Sequence, residues 1–291
     1  MKQMNLGAIL RAPLPQLIAQ ENYFGDYDHL LFLKNVGHKL TVSRKGKHFE
    51  QIADKELVFF FDFPFNSQLA EELSSYEPHV KFVNQPSAVL KTSEKDFEFT
   101  HFNKYLPPTI LIRNSSELEL EDFIKTHKKV IAKPLDGTGG KDIFPFDLSD
   151  DSTENIARKV SELHTNHHSG YLLQEFIENK GDIRVICYNG KILGHFGRYN
   201  PNHHTNNLSN GGFVTRPELT NKDANTCEEV SSYLKDMGVY YAGIDLLESR
   251  LLEVNVACPG GVGVVTPRYG RSVHDAFRMF EQETYSLVKQ I

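Results

Sequence analysis

The sequence holds no apolar run approaching the ~20 residues that a bilayer-spanning helix requires, which argues against a helical membrane protein. It has no surplus of basic residues either. Its 32 Lys and Arg against 38 Asp and Glu leave a net charge of −6, with a pI of about 6.1. A general nucleic-acid binder needs the opposite balance to neutralise phosphates. Cysteine is scarce, and Cys187, Cys227 and Cys258 cannot all pair within one chain. Their spacing fits neither a zinc site nor a disulfide framework, so a reducing compartment is expected. The opening "MKQMNLGAILRAPLPQ" carries an apolar stretch too short and interrupted for a signal peptide, and the expectation is a cytoplasmic protein. Internal repeats and low-complexity tracts are missing. So is a Gly-x-Ser-x-Gly elbow, and no Cys–His pair can be argued from spacing, so the sequence offers no covalent nucleophile.

What is present reads as alternating strands and helices. "LGAIL" and "ELVFFFDFPFN" read as strands, "SQLAEELSSYE" as a helix and "VKFVN" as another strand, which predicts a small parallel α/β unit over residues 1–88. A second unit follows. "EKDFEFTHF" reads as a helix with Ser93 and Asp96 as polar caps, ended by Pro107–Pro108. After it come the strand "TILIR", the helix "SELELEDFIKTH" and the strand "KVIAKPL", with "GKDIFPFDL" pairing back. Ile156, Val160 and Leu163 share one face of a further helix. "YLLQEFIE" and "DIRVICYNGKILGHFGRYN" read as strands, the latter folded at an Asn189-Gly190 hairpin. Residues 200–212 form a long polar loop. A helix over Asn221–Met237, two strands turning at Glu248–Arg250 and a closing amphipathic helix complete the chain.

Three stretches carry chemistry. In "VIAKPLDGTGGKDIF" an apolar strand delivers Lys133 into a glycine-rich turn. The pattern suggests phosphate, yet Walker A fails because Leu135 and Asp142 stand where glycine and Ser/Thr are needed, and Asp142 also breaks the dinucleotide fingerprint. Gly137, Gly139 and Gly140 let the backbone approach an anion closely and move as a flap. In "GIDLLESRLLEVNV", Asp245, Glu253 and Asn255 fall on one face of an antiparallel pair, giving a hard-oxygen set suited to Mg²⁺. Lys95 in "TSEKDFEF" has an exposed helix position as its default, and Asp182 and Arg184 can share a strand face. His164, His167, His168, His203 and His204 read as solvated loop residues, with no partner at zinc-ligand spacing.

Taken in order, these stretches resemble the ATP-grasp superfamily, and within it the prokaryotic glutathione synthetases, over roughly residues 82–290. The resemblance is closest in "FVNQPSAVLKTSEK", "VIAKPLDGTGGKDIF" and "GIDLLESRLLEVNV". It implies an α/β (α+β) architecture: an ATP-grasp fold with a small N-terminal parallel α/β domain (1–88), a central/lid subdomain (89–172) and a C-terminal subdomain with the metal site (173–291). The nucleotide would lie between the two α+β subdomains. The implied ligands are ATP and Mg²⁺ (or Mn²⁺), with Lys95 and Lys133 reaching the phosphates and the loop of Gly137, Gly139 and Gly140 closing over them. Gln174, Glu175, Phe176 and Ile177 match the adenine hinge, with Asp182 near the ribose and Asp245, Glu253 and Asn255 as metal ligands. Arg184, Arg198 and Asn207 match residues facing the transferred phosphoryl group and the substrate carboxylate. The implied activity is ATP-dependent joining of a small-molecule carboxylate to an amine through an acyl phosphate, with residues 136–142 and 200–212 as lids, in a homo-oligomer.

The sequence departs from the family where substrate is expected. "FFFDFPFN" lacks the two basic residues of the family's Arg-Lys-Asp-Pro-Pro-Phe-like stretch, and Thr205 replaces an arginine of the lid. Gly263 and Val264 stand at a charged pair. The alternative is therefore a ligase with another acceptor, of the kind that adds glutamate to peptides, in which Arg268 and Arg271 would bind a carboxylate. A nucleotide-binding sensor is the remaining reading.

Overall fold

The computed structural model describes residues 2–10, 16, 27–43, 51–62, 65–137, 141–166, 169–203, 205–208, 211–265 and 272–290. Gly139, Gly140, His167, His168, His204, Arg268 and Arg271 lie outside them. The first sheet is parallel, ordered β2-β1-β3-β4, from strands Asn5–Ile9 (β1), Lys39–Ser43 (β2), Leu57–Phe60 (β3) and Phe82–Val83 (β4). Central β3, "LVFF", is buried along its whole length, as a parallel strand covered on both faces should be. Helices α1 (Asp28–Asn35) and α2 (Ser67–Ser74) belong to this unit, and Asn66 caps α2 by accepting the Leu69 N–H at 3.1 Å. The sequence reading found β1, β3, α2 and β4 but no element between Leu10 and Glu56. Edge strand β2 is half polar and α1 is only eight residues long, so neither shows a strong period.

Helix α3 (Pro86–Thr92), with proline at its first position, was also unforeseen. Buried Asn84 just before it donates to the carbonyls of Tyr241 (2.7 Å) and Val256 (2.8 Å) and accepts the Tyr241 N–H (2.7 Å), joining β4 to the last sheet. Helix α4 (Lys95–Phe102) does not use Ser93 or Asp96 as an N-cap. Its N-cap is Glu94 with no side-chain hydrogen bond, and the Lys95 N–H donates instead to the Leu135 carbonyl at 3.0 Å. Tertiary contact thus replaces local capping and fixes the helix start beside the glycine loop.

The second sheet is antiparallel, ordered β5-β8-β6-β7, from Thr109–Leu111 (β5), Lys129–Pro134 (β6), Phe144–Asp147 (β7) and Tyr171–Glu175 (β8). Helices α5 (Glu117–His127) and α6 (Thr153–Asn166) bury Leu120, Ile124, Ile156 and Val160 against Val130, Ala132 and Leu173. His164 lies in α6, not in a loop, and its Nδ1 accepts the Tyr171 N–H at 3.3 Å.

The third sheet is antiparallel, ordered β11-β10-β9-β12-β13. Its strands are Asp182–Tyr188 (β9), Lys191–Tyr199 (β10), Phe213–Thr215 (β11), Tyr241–Leu247 (β12) and Arg250–Asn255 (β13). Alternation on β9 splits two cores. Val185 and Cys187 join Val230 and Leu234 of α7 (Asn221–Asp236). Ile186 and Tyr188 join Phe280 and Leu287 of α8 (Val273–Lys289), together with Leu6 and Phe59 of the parallel sheet. The Asn189-Gly190 hairpin forms as expected, with positive φ at both residues (51° and 80°). The β12–β13 turn places Glu248 and Ser249 at φ 49° and 57°, a conformation neither residue type favours. Among the described residues no helix is long and apolar enough to cross a membrane.

Candidate active site

The second and third sheets supply the walls of a cleft of about 880 Å³, counting space open to solvent. Ile131, Ile143, Phe176, Leu247 and Leu252 give it an apolar interior, the usual character of a pocket that takes a flat organic ring. Its polar lining holds most of the residues expected from the sequence: Lys95, Lys133, Gly137, Gln174, Glu175, Ile177, Asp182, Arg198, Asn207, Asp245 and Glu253. Arg184 and Asn255 do not line it, but both bond to Asp245, which does.

Lys95, at the first turn of α4, is buried, contrary to the exposed default. Its Nζ donates to the Gly137 carbonyl at 2.7 Å and pairs with Glu253 Oε1 at 3.0 Å. Burial opposes its charge, but Glu253 and Glu98 outweigh that and hold its pKa above the ordinary lysine value. Gly137 is required where it stands, since a Cβ there would fall 2.4 Å from Pro134 Cγ. Lys133 differs. Its Nζ donates to Gln174 Oε1 at 2.7 Å and makes no ion pair among the described residues. Burial, then the nearby Lys95 charge, push the Lys133 ammonium down to about 8.

The acidic residues sit on β12 and β13. Asp245 lies directly opposite Glu253, so the two carboxylates share a face, and Asn255 is two residues further along it. The Asn255 amide donates to Asp245 Oδ2 at 3.3 Å. Asp245 also lies opposite Arg184 on β9 and holds its guanidinium by a bidentate pair, with Arg198 Nη2 at 2.9 Å from Oδ2. Burial would raise Asp245, but the two guanidiniums outweigh it and hold it below the usual carboxylate range. Arg198 is held from its other side by Asp182, at 2.8 and 3.0 Å. Burial keeps Asp182 above the ordinary aspartate value despite Arg198. Asp182 and Arg184 therefore do not pair with each other; each takes a partner across the sheet. A β-carbon at Gly243 would stand 3.0 Å from Arg184 Cδ, so that glycine makes room for the arginine.

The oxygens of Asp245, Glu253 and Asn255 fit a hard divalent cation by donor chemistry and by their shared face. Such an ion would compete with Arg184, Arg198 and Lys95 for these oxygens. One acidic neighbour was not foreseen. Glu98, three residues after Lys95 on the same helix, is buried and accepts the Val254 N–H at 2.6 Å. Burial lifts its carboxyl to about 8. Its i,i+3 spacing from Lys95 was the available signal.

A cleft between antiparallel sheets, with a parallel α/β unit ahead of it, is the architecture of the ATP-grasp ligases. The chain is similar to D-cycloserine synthetase DcsG, with a TM-score of 0.66 over 96% of this chain and 100% of that one at 17% identity. It is also similar to the D-alanine–D-alanine ligase from Bacillus anthracis complexed with ATP, with a TM-score of 0.63 over 99% of both chains at 13% identity. Residues 94–269 match the family "Prokaryotic glutathione synthetase, ATP-grasp domain", and the chain belongs to that family. A glutathione synthetase of Buchnera aphidicola subsp. Baizongia pistaciae is 31% identical over 208 residues, 70% of this chain. That match covers 61% of the relative's own length.

Proposed function

We propose that this protein is an ATP-dependent carbon–nitrogen ligase that joins a small-molecule carboxylate to an amine through an acyl phosphate, with the chain working as units 1–88, 89–172 and 173–291. The observation that carries the reading is the convergence of buried Lys95, half-buried Lys133, an apolar slot and a carboxylate pair in one cleft. Adenine lies in the apolar slot along Gln174–Ile177. The Glu175 N–H is already given to the Pro108 carbonyl at 2.9 Å, so the Glu175 carbonyl and the Ile177 N–H are the backbone groups that read the base. Lys95, Lys133 and the glycine loop take the phosphates, and Asp182 stands near the ribose.

Asp245, Glu253 and Asn255 would hold a divalent metal, which would neutralise part of the phosphate charge when bound. Mg²⁺ is the favoured ion for an all-oxygen donor set. Arg198, fixed by Asp182 and Asp245, faces the transferring phosphoryl group with Arg184 behind it, while Asn207 faces the substrate carboxylate. The carboxylate oxygen attacks the γ-phosphorus and ADP leaves. The amine then attacks the acyl carbon, inorganic phosphate leaves, and an amide remains. These side chains orient the reactants and offset charge as it builds, and none forms a covalent bond. An acyl phosphate hydrolyses readily, so residues 136–142 and 200–212 serve to exclude water.

One observation favours an amine or carboxylate other than those of glutathione synthesis. A Cβ at Gly263 would lie 1.9 Å from Asp28 Oδ2, so the loop after β13 approaches α1 closely and a side chain there would have to displace the Asp28 carboxylate. The family's charged pair at Gly263 and Val264 is thus replaced by two uncharged, half-buried residues beside α1. The test is phosphate release from Mg·ATP with γ-glutamylcysteine and glycine, each omitted in turn, beside a panel of other dipeptides and amino acids. Release that needs both named substrates makes glutathione the product. Release only with other pairs establishes a ligase of altered specificity. Nucleotide binding with no release from any pair counts against the ligase reading and favours a sensor.

A further inference from the structure

The difference between Lys95 and Lys133 has a structural cause that reaches outside the cleft. Lys95 is compensated by Glu253, whereas Lys133 is held by the neutral oxygen of Gln174. A glutamine can present either end of its amide, so something must decide that the oxygen faces Lys133. That choice is made on β5. Thr109 lies directly opposite Gln174 in the β5–β8 pair, and Gln174 lies opposite Ile131 of β6, two residues before Lys133. All three side chains therefore project from the same face of three adjacent strands.

The hydrogen bonds run in one direction. The Thr109 hydroxyl donates its only hydrogen to the Pro107 carbonyl at 2.7 Å. What remains on Oγ1 is acceptor capacity, and it is filled by Gln174 Nε2 at 2.8 Å. With its NH₂ fixed there, the amide oxygen points at Lys133 Nζ. Reversing the amide would set an NH₂ against the ammonium and an oxygen against a hydroxyl whose hydrogen is already used. Gln174 is only 3% exposed, so water could not repair either contact. Pro107 and Pro108 hold the anchoring carbonyl on a stretch whose φ angles are fixed by ring closure.

We propose that Thr109 is a positioning residue which, by orienting the Gln174 amide, holds Lys133 ready with its charge uncompensated for an anionic ligand group. An acidic residue at Gln174 would hold the lysine equally well but would cancel that charge. The lowered pKa of Lys133 is in keeping with a half-buried ammonium whose hydrogen-bond partner carries no charge. The inference rests on the reading of Lys133 as a phosphate-binding lysine.

The experiment compares ATP and adenosine binding by calorimetry to the full chain and to Thr109→Val, Thr109→Ser and Gln174→Glu. Thr109→Val is expected to weaken ATP about tenfold or more, the scale of a hydrogen bond to a charged group, and to leave adenosine within about twofold because adenosine has no phosphates. Thr109→Ser keeps the hydroxyl and is expected to restore ATP affinity. Gln174→Glu should weaken ATP over adenosine in the same sense, and it serves as the second arm if Thr109→Val does not fold. Equal loss of ATP and adenosine in Thr109→Val would reduce Thr109 to support of the hinge and overturn the proposal. Unchanged ATP affinity in Thr109→Val would overturn it while leaving the ligase reading intact. A wild-type protein that binds adenosine as tightly as ATP would overturn the reading of Lys133, and the proposal with it.

Discussion

Replacing Glu98 by glutamine tests the charge balance of the cleft without changing its shape. The carboxyl is buried, hydrogen-bonded to the Val254 N–H at 2.6 Å, and lifted by burial to about 8 from an ordinary 4.5. Because the folded pKa lies above the unfolded one, the folded protein binds the extra proton between those two values. The Glu98 contribution to stability is thus fully present below about pH 4.5 and is lost as pH rises towards 8. Each pH unit in that window corresponds to about 1.4 kcal/mol. Between pH 5 and pH 7 the wild type should therefore lose on the order of 3 kcal/mol from this one group. In Glu98→Gln the amide oxygen would keep an acceptor for Val254, and the side chain would not titrate. Thermal unfolding followed at half-unit pH steps should show the wild-type midpoint falling relative to Glu98→Gln by roughly 6–12 °C over that interval, at about 2–4 °C per kcal/mol. Other titrating groups are common to both proteins and cancel in the difference. Parallel curves would refute the reasoning and would mean that Glu98 is ionised in the fold, compensated by Lys95.

Three further outcomes follow from the same contacts. Fully buried His29 is ringed by Phe59, Phe61, Tyr241 and Phe280, its two ring nitrogens have no hydrogen-bond partner among the described residues, and burial lowers its pKa to about 3. Its stability contribution is present above about pH 6.5 and is lost as pH falls towards 3, so His29→Leu should flatten the acid side of the urea-stability curve by about 2 kcal/mol at pH 5. Glu253→Gln should abolish ATP turnover, read as phosphate release, at a smaller cost in stability than removal of Asp245, because Glu253 compensates one cation, Lys95, and its own side chain is 35% exposed. Asp245→Asn should instead cost about 3–5 kcal/mol of stability in urea unfolding, since it leaves Arg184 and Arg198 buried without their shared carboxylate. Equal destabilisation by the two substitutions would contradict the charge network around Asp245.

The sequence exposed those parts of the fold that depend on local rules. Asn189-Gly190 marks a hairpin because both positions need positive φ, and α6 is legible because Ile156 and Val160 repeat at helical spacing. The β12–β13 turn was located by the apolar runs around it, although Glu248 and Ser249 give no turn signal of their own. Burial of Lys95 and Glu98 was hidden, because α4 starts on a hydrogen bond from the Lys95 N–H to Leu135, forty residues on, where a local cap would otherwise stand. The arginine partners were hidden for a related reason. Spacing shows that Asp182 and Arg184 share a face, but only strand register decides that Asp182 meets Arg198 and Arg184 meets Asp245.

That register has a consequence for how the cleft is used. Lys95 is spent on Glu253, and of the two candidate metal carboxylates, Asp245 is covered by two guanidiniums. A cation arriving alone at Asp245 would have to displace Arg198 or Arg184 and leave a buried positive charge without a partner, which is costly. A polyphosphate arriving with the cation changes that sum, because its oxygens can take over the arginine and lysine that the carboxylates release. The geometry therefore favours entry of metal and nucleotide together over metal first. Calorimetric titration with Mg²⁺ should give little or no heat in the absence of ATP and a saturable signal in its presence. Tight Mg²⁺ binding to the nucleotide-free protein would show that the arginines do not guard Asp245, and would remove the physical reason for this order.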